Sequence, residues 1–294
     1  MIEFNSIKEI VDLATEKNTT ISQVVLQSQA EQMKKTQEEI FIKMRQHLRL
    51  MKESALKGIS DERSASGLTG GMALQFHNFN QKGKLLGPLA ANAIEKALAI
   101  SEQNACMGRI VACPTAGSCG ILPAVLLAVG EEYNFDEDKL TYGLLNASGI
   151  GMIIAKNASV SGAQGGCQAE CGSASAMAAS AIVELLGGTP QMSATAVALC
   201  FKFVMGLVCD PVAGLVEVPC VKRNASGAIN SLTAAEIALA GIESKIPVDE
   251  VVWAMDSVGN MMSDDLKETA RGGLAATPTA KKIHKELNEK HKLI

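Results

Sequence analysis

The sequence predicts an all-α protein in which buried Ala/Gly-rich helices are wrapped by charged amphipathic ones. Apolar residues recur at helical spacing along most of the chain, and alternating strand patterns are scarce. Charge is also uneven: residues 1–65 carry ten acidic and ten basic side chains, whereas residues 104–235 carry nine and six over twice the length. The first stretch therefore reads as solvated and the second as interior.

In residues 1–65, Ile7, Ile10, Val11 and Ala14, then Ile21, Val24 and Val25, then Ile40, Phe41, Met44, Leu48 and Met51 mark helix faces, with Thr19, Thr20 and Ser22 as turn or capping residues. From Gly58 to Gly71 the chain turns to Gly and Ser, a loop rich in backbone N–H donors. Gly87-Pro88 opens a helix through 90–101, Cys113 to Gly120 is a Gly/Pro turn, and helices follow over about 121–129 and 139–155. The small-residue segment 157–172 leads into a helix over 173–186. Thr189-Pro190 has the form of an N-cap with proline at the first helical position, opening a helix that runs to Val208. Residues 214–221 read as extended. Beyond them, Thr233 with Glu236 has capping-box spacing, and Pro247 and Thr277-Pro278 suit two further helix starts. The whole reads as a single domain over 1–294, made of a charged helical segment 1–65, a core 66–276 and a charged helical tail 277–294.

Composition excludes several functions. A net charge of -4 is not the basic footprint that nucleic acid requires. No apolar stretch offers the roughly 20 uninterrupted residues of a membrane span. The N-terminus lacks a basic start and apolar run, so a cytoplasmic location is expected. In that reducing compartment the 8 cysteines are not a disulfide framework, and ligation or catalysis is the reading for those outside the core.

Three cysteines share a setting. Cys167 follows Gly-Gly, Cys209 precedes Asp-Pro and Cys220 follows Pro219, so each is expected where regular structure breaks, and thiols at helix ends can converge on one point. Their spacings of 42 and 11 residues match neither zinc Cys pairs nor ferredoxin runs, which leaves zinc and an iron–sulfur cluster both open. Cys200 lies in an apolar helix and belongs to the core; Cys171, four residues after Cys167, is the rival ligand.

The strings Cys113-Pro-Thr-Ala-Gly-Ser-Cys-Gly-Ile-Leu-Pro-Ala, Asn157-Ala-Ser-Val-Ser-Gly-Ala-Gln-Gly-Gly-Cys-Gln-Ala-Glu, Gly206-Leu-Val-Cys-Asp-Pro-Val-Ala-Gly, Val218-Pro-Cys-Val-Lys-Arg-Asn and Thr269-Ala-Arg-Gly-Gly-Leu-Ala resemble the α subunit of the iron–sulfur L-serine dehydratases, in order, from about Ser64 to Ala276. The resemblance implies that Cys167, Cys209 and Cys220 ligate a [4Fe–4S] cluster with one open iron. It also implies that L-serine is converted to pyruvate and ammonia without pyridoxal phosphate, as a step of amino-acid catabolism. Single-chain members begin with a second domain and end in a cysteine; this chain starts with helices and finishes Lys290-His-Lys-Leu-Ile, so the two-subunit type with a separate β subunit is expected, its higher assembly left open.

Ser66, Gly67, Asn157, Ser161 and Arg271 are the candidate substrate-binding residues. For Ser66 and Gly67 the alternative is a tight turn. Asn157 and Ser161 can equally satisfy turn backbone. Lys222, Arg223 and Arg271 are rare cations beside apolar motifs, suited to a carboxylate or to an ion pair with Glu217 or Asp210. No histidine is assigned as base. A related lyase acting on L-cysteine or L-threonine, or a cluster-bearing redox sensor, are the competing readings.

Overall fold

The computed structural model describes residues 2–80 and 85–291, and among them it is helical with no strand. The last three residues of the expected tail lie outside that range. Three helices, α1 (Ile7–Glu16), α2 (Ile21–Met33) and α3 (Gln37–Lys57), make the charged N-terminal segment. Ser6, Thr20 and Thr36 cap them, the last two in full capping boxes with Gln23 and Glu39. A loop leads to α4 (Met72–Asn80), then come α5 (Gly87–Ala105), α6 (Ile121–Glu132), α7 (Glu137–Asn157) and a single turn, α8 (Gly162–Gly165). The remainder is α9 (Cys167–Leu185), α10 (Pro190–Val204), α11 (Cys220–Leu239), α12 (Val248–Met261) and α13 (Pro278–His291). No helix among the described residues is long and apolar enough to cross a membrane.

The centre of the molecule is α9. All its residues except Glu170 and Glu184 are buried, and α6, α7, α10 and α11 surround it. Its Ala, Gly and Ser side chains let neighbouring backbones come close, which replaces the aromatic packing that the composition lacks. Where α11 crosses it, the Ser175 hydroxyl donates to the Gly227 carbonyl at 3.0 Å. A Cβ at Gly227 would sit 2.5 Å from Ile121, so no larger residue fits that crossing unchanged. The N-terminal helices lie on the outside and tie in through few polar contacts. Asp249, in the first turn of α12, accepts the Ile7 and Lys8 backbone N–H groups at 2.8 and 2.9 Å. Arg49 and Glu137 join α3 to α7 through an exposed pair worth little on its own.

Four expectations need correction. The helix expected over 173–186 starts at Cys167, because the Gly/Ala/Ser run that reads as a loop is what close packing demands. The helix from Pro190 ends at Val204 rather than Val208, since Gly206 takes a positive φ of 86°. Residues 214–221 are not extended: a 3-10 turn at Val212–Gly214 precedes α11, which opens at Cys220. Thr233 starts no helix but lies inside α11, where its hydroxyl donates to the Ile229 carbonyl one turn back.

One buried network fixes α2 to the core. Glu184 Oε2 accepts from Asn146 at 2.7 Å and from the Ser22 backbone N–H at 3.2 Å, while the Ser180 hydroxyl donates to Asn146. Burial pushes the Glu184 carboxyl above its ordinary 4.5, against the opposing bonds from Ser22 and Asn146. A carboxyl with a raised folded-state value favours the fold while protonated, and this contribution fades as pH climbs through that value. Glu184→Gln, whose amide oxygen can accept both bonds, is therefore expected to gain stability relative to the parent as pH rises from 4.5 to neutrality. Urea unfolding of both proteins across that range checks it; parallel curves would contradict it.

Candidate functional site

Cys167 and Cys220 are the first residues of α9 and α11, and Cys209 lies on the segment between α10 and α11. All three are buried. Local sequence explains the placement. Gly166 reaches a φ of 75° to turn the chain into α9, and a Cβ there would strike the Leu207 carbonyl at 2.8 Å. Cys209 is pinned by its own backbone, donating to the Leu266 carbonyl at 2.8 Å and accepting from the Glu268 N–H at 2.7 Å. Asn224, one turn into α11, donates to the Gly117 and Cys220 carbonyls and accepts from the Gly120 N–H, fastening the Cys113 to Gly120 loop against the same end of the helix.

The thiols act on one another electrically. Burial pushes Cys220 up to about 12, with the Cys167 charge adding to it. Burial likewise pushes Cys209 up, again with Cys167 contributing. Cys167 runs the other way: the Cys171 thiol, with its sulfur 3.3 Å away, and the Arg223 guanidinium hold it below the ordinary range despite desolvation. Cys167 and Cys209 share one buried cluster with Cys171, and the first turns of two helices favour negative charge. Among the described residues no three His, Cys, Asp or Glu side chains close on a single metal ion.

Arg223 is the cation of this region. Its guanidinium lies 2.8 Å from Asp210 Oδ1 and donates to the Val208 carbonyl at 2.9 Å. Asp210 is buried and also accepts the Leu274 N–H at 2.7 Å, so it locks the 3-10 turn Gly273–Ala276 to the Cys209 segment. Glu170, one turn after Cys167, is the residue that sequence reasoning missed. Its carboxyl accepts a hydrogen bond from Thr115, and burial pushes it upward. A Cβ at Gly117 would meet that carboxyl at 2.5 Å, while one at Gly162 would meet Cys209 Sγ at 2.8 Å and Glu170 at 3.2 Å. Two glycines thus leave the room that brings carboxyl and thiol together. Its position three residues after Cys167, on the same helix face, was the available signal.

The other expected residues are dispersed. Arg271 is exposed and pairs with Asp265 at 2.9 Å. Asn157 donates to the Asn5 and Ile153 carbonyls. Ser161 caps α8 by accepting the Ala163 N–H. Ser66 and Gly67 form a tight turn, the Ser66 hydroxyl bonded to Glu217. Cys200 is in the core, as expected, while Cys113 and Cys119 are buried against backbone carbonyls.

The sequence pattern of the family described as "Serine dehydratase alpha chain" matches residues 16–275. The chain is 50% identical over 285 residues to the probable L-serine dehydratase, alpha chain, of Bacillus subtilis, covering 97% of this chain and 95% of that one. It is 46% identical over 284 residues to the L-serine dehydratase, alpha chain, of Peptoniphilus asaccharolyticus, covering 96% and 97%. It is 40% identical over 283 residues to the L-serine dehydratase of Streptomyces coelicolor, covering 92% of this chain and 60% of that longer one.

Asn224→Ala leaves the buried Gly120 N–H and Gly117 carbonyl without their partner, a loss expected to cost about 1–3 kcal/mol of unfolding free energy. Denaturant unfolding measures it, and a change near zero would show that the loop stands without α11.

Proposed function

The chain belongs to the serine dehydratase alpha-chain family, and from that premise we propose that it is the α subunit of an L-serine dehydratase that forms pyruvate and ammonia. The observation that supports this most is that Cys167 and Cys209 pack in one buried cluster, with Glu170 next to Cys209 across Gly162 and Cys220 buried at the start of α11. A set of soft thiols suits zinc or an iron–sulfur cluster alike, and the resemblance of the motifs to the iron–sulfur dehydratases favours the cluster. In this reading the three cysteines hold a [4Fe–4S] cluster. When bound, it supplies Lewis-acid polarisation of the substrate hydroxyl through an iron free of protein thiolate, typically worth several kcal/mol.

The chain's own residues do the rest. The N-terminal ends of α9 and α11 place the positive ends of their helix dipoles at the thiolate charge, and Arg223, held by Asp210, balances it. Glu170, oriented by Thr115, takes the Cα proton of a serine bound beside the thiols. Loss of that proton and of hydroxide gives an enamine, which tautomerises and takes up water to release ammonia and pyruvate. The helices form one catalytic unit, working in the cytoplasm with a separate β subunit that completes the pocket.

Cys167→Ser, Cys209→Ser and Cys220→Ser, each purified anaerobically with the β subunit, are expected to lose most of their iron and pyruvate formation from L-serine. Cys200→Ser and Cys171→Ser are expected to retain both. Iron content and turnover unchanged in any of the first three would refute the assignment; iron without turnover in the parent complex would favour a redox sensor.

A further inference from the structure

Among the described residues the buried side chain of Glu217 meets no cation. It is 8% exposed, and its polar contacts there are two neutral hydroxyls. Ser64 donates to Oε2 at 2.7 Å and Ser66 reaches Oε1 and Oε2 at 2.8 and 2.9 Å. The Leu68 N–H donates to the Ser66 hydroxyl at 3.0 Å, so the turn directs that hydroxyl's single hydrogen towards the carboxylate. A carboxylate offers about four lone-pair sites, and these hydroxyls fill only part of them. Burying such a charge without a counter-ion is costly, and the Arg223 guanidinium is committed to Asp210.

Glu217 opens onto a cavity of about 320 Å³ closed on its far side by α13. Met107 and Leu215 give it apolar walls, and Ser66, His284 and Asn288 are its other polar side chains. That size is at the lower end of small-molecule sites. It is too roomy and too apolar for a hydrated metal ion, and it holds one carboxylate rather than the several that a hard divalent cation takes. The cavity also belongs to the stretch between two of the thiols: Ala213 and Leu215 line it, and Glu217 stands three residues before Cys220.

We propose that Glu217, set by Ser64 and Ser66, binds the primary ammonium group of an amino acid in this cavity. Resting on the dehydratase reading, the inference gives L-serine an accessory site here, apart from the thiols, since Cys167, Cys209, Cys220 and Glu170 do not line the cavity. His284 and Asn288, one turn apart on α13, supply hydrogen-bond donors for its carboxylate. Ser66, expected to touch substrate, acts instead through Glu217.

The test is calorimetric titration of the full chain, without metal, with L-serine, ethanolamine and glycerate. The unmodified chain is expected to bind L-serine and ethanolamine, which carry the ammonium, and to bind glycerate far more weakly. Glu217→Gln should weaken both amine ligands about tenfold or more, and Ala65→Leu, which fills the mouth from an exposed position, should do likewise. A cooperative thermal transition of Glu217→Gln at the parent's ligand-free Tm, with the L-serine shift of the parent gone, excludes simple misfolding. Equal amine binding by parent and Glu217→Gln, or equal binding of glycerate and serine, would overturn the inference even where the complete enzyme forms pyruvate. Conversely, absence of pyruvate formation in the complete complex would count against the dehydratase reading while the ethanolamine titration still decides the role of Glu217.

Discussion

The approach of α9 to α11 sets the position of the groups at the thiol end. The two helices touch where the Ser175 hydroxyl meets the Gly227 carbonyl, eight residues from Cys167 and seven from Cys220. At 1.5 Å of rise per residue these are lengths of about 12 and about 10 Å. Two helix starts that lie nearly the same distance from one close crossing emerge side by side, provided that the crossing stays tight. Gly227 and the Ala/Ser surface of α9 keep it tight; a bulky pair there would separate the two starts. The chemistry of this end therefore depends on residues that carry no chemistry themselves.

Concentrating thiols, a carboxyl and a guanidinium in a poorly hydrated place has an electrostatic cost, which the fold offsets locally. Arg223 faces Cys167 and Asp210, Asp210 ties in the Leu274 turn, and Thr115 supports Glu170. The loops that contribute these groups are each anchored by a buried polar bond to a helix, as Asn224 anchors the Gly117 to Gly120 loop. Glu170 and Glu217 have neutral hydroxyls as partners in place of a cation, Thr115 for the one and Ser64 and Ser66 for the other.

Much of this was legible in the sequence. Helix starts at Thr20 and Thr189-Pro190 are local signals, since one side chain satisfies the orphaned N–H groups, and they appear where expected. The grouping of Cys167, Cys209 and Cys220 as ligands rests on motif resemblance, and the structure places Cys167 and Cys220 at helix starts and Cys209 on the segment between helices. Less legible was whatever depends on tertiary approach. The start of α9 looked like a loop because Gly and Ala serve both turns and tight packing. Thr233 and Glu236 mimic a capping box because three-residue spacing is also a helix face. Glu170 sits in a Cys/Gly string whose partner, Thr115, is 55 residues away, and Arg271 resembled Arg223 in sequence until Asp210 separated their roles.

The central claim is that three thiols from two helix starts and one intervening segment grip a single iron–sulfur centre. An anaerobic crystal structure of the assembled enzyme, with anomalous scattering collected at the iron edge, tests it most directly. The account predicts one compact iron peak in bonding contact with the sulfurs of Cys167, Cys209 and Cys220, and an iron that no sulfur of this chain reaches. Iron bound instead at Cys113 and Cys119, or a single-ion peak shared by Cys167 and Cys171, would contradict it.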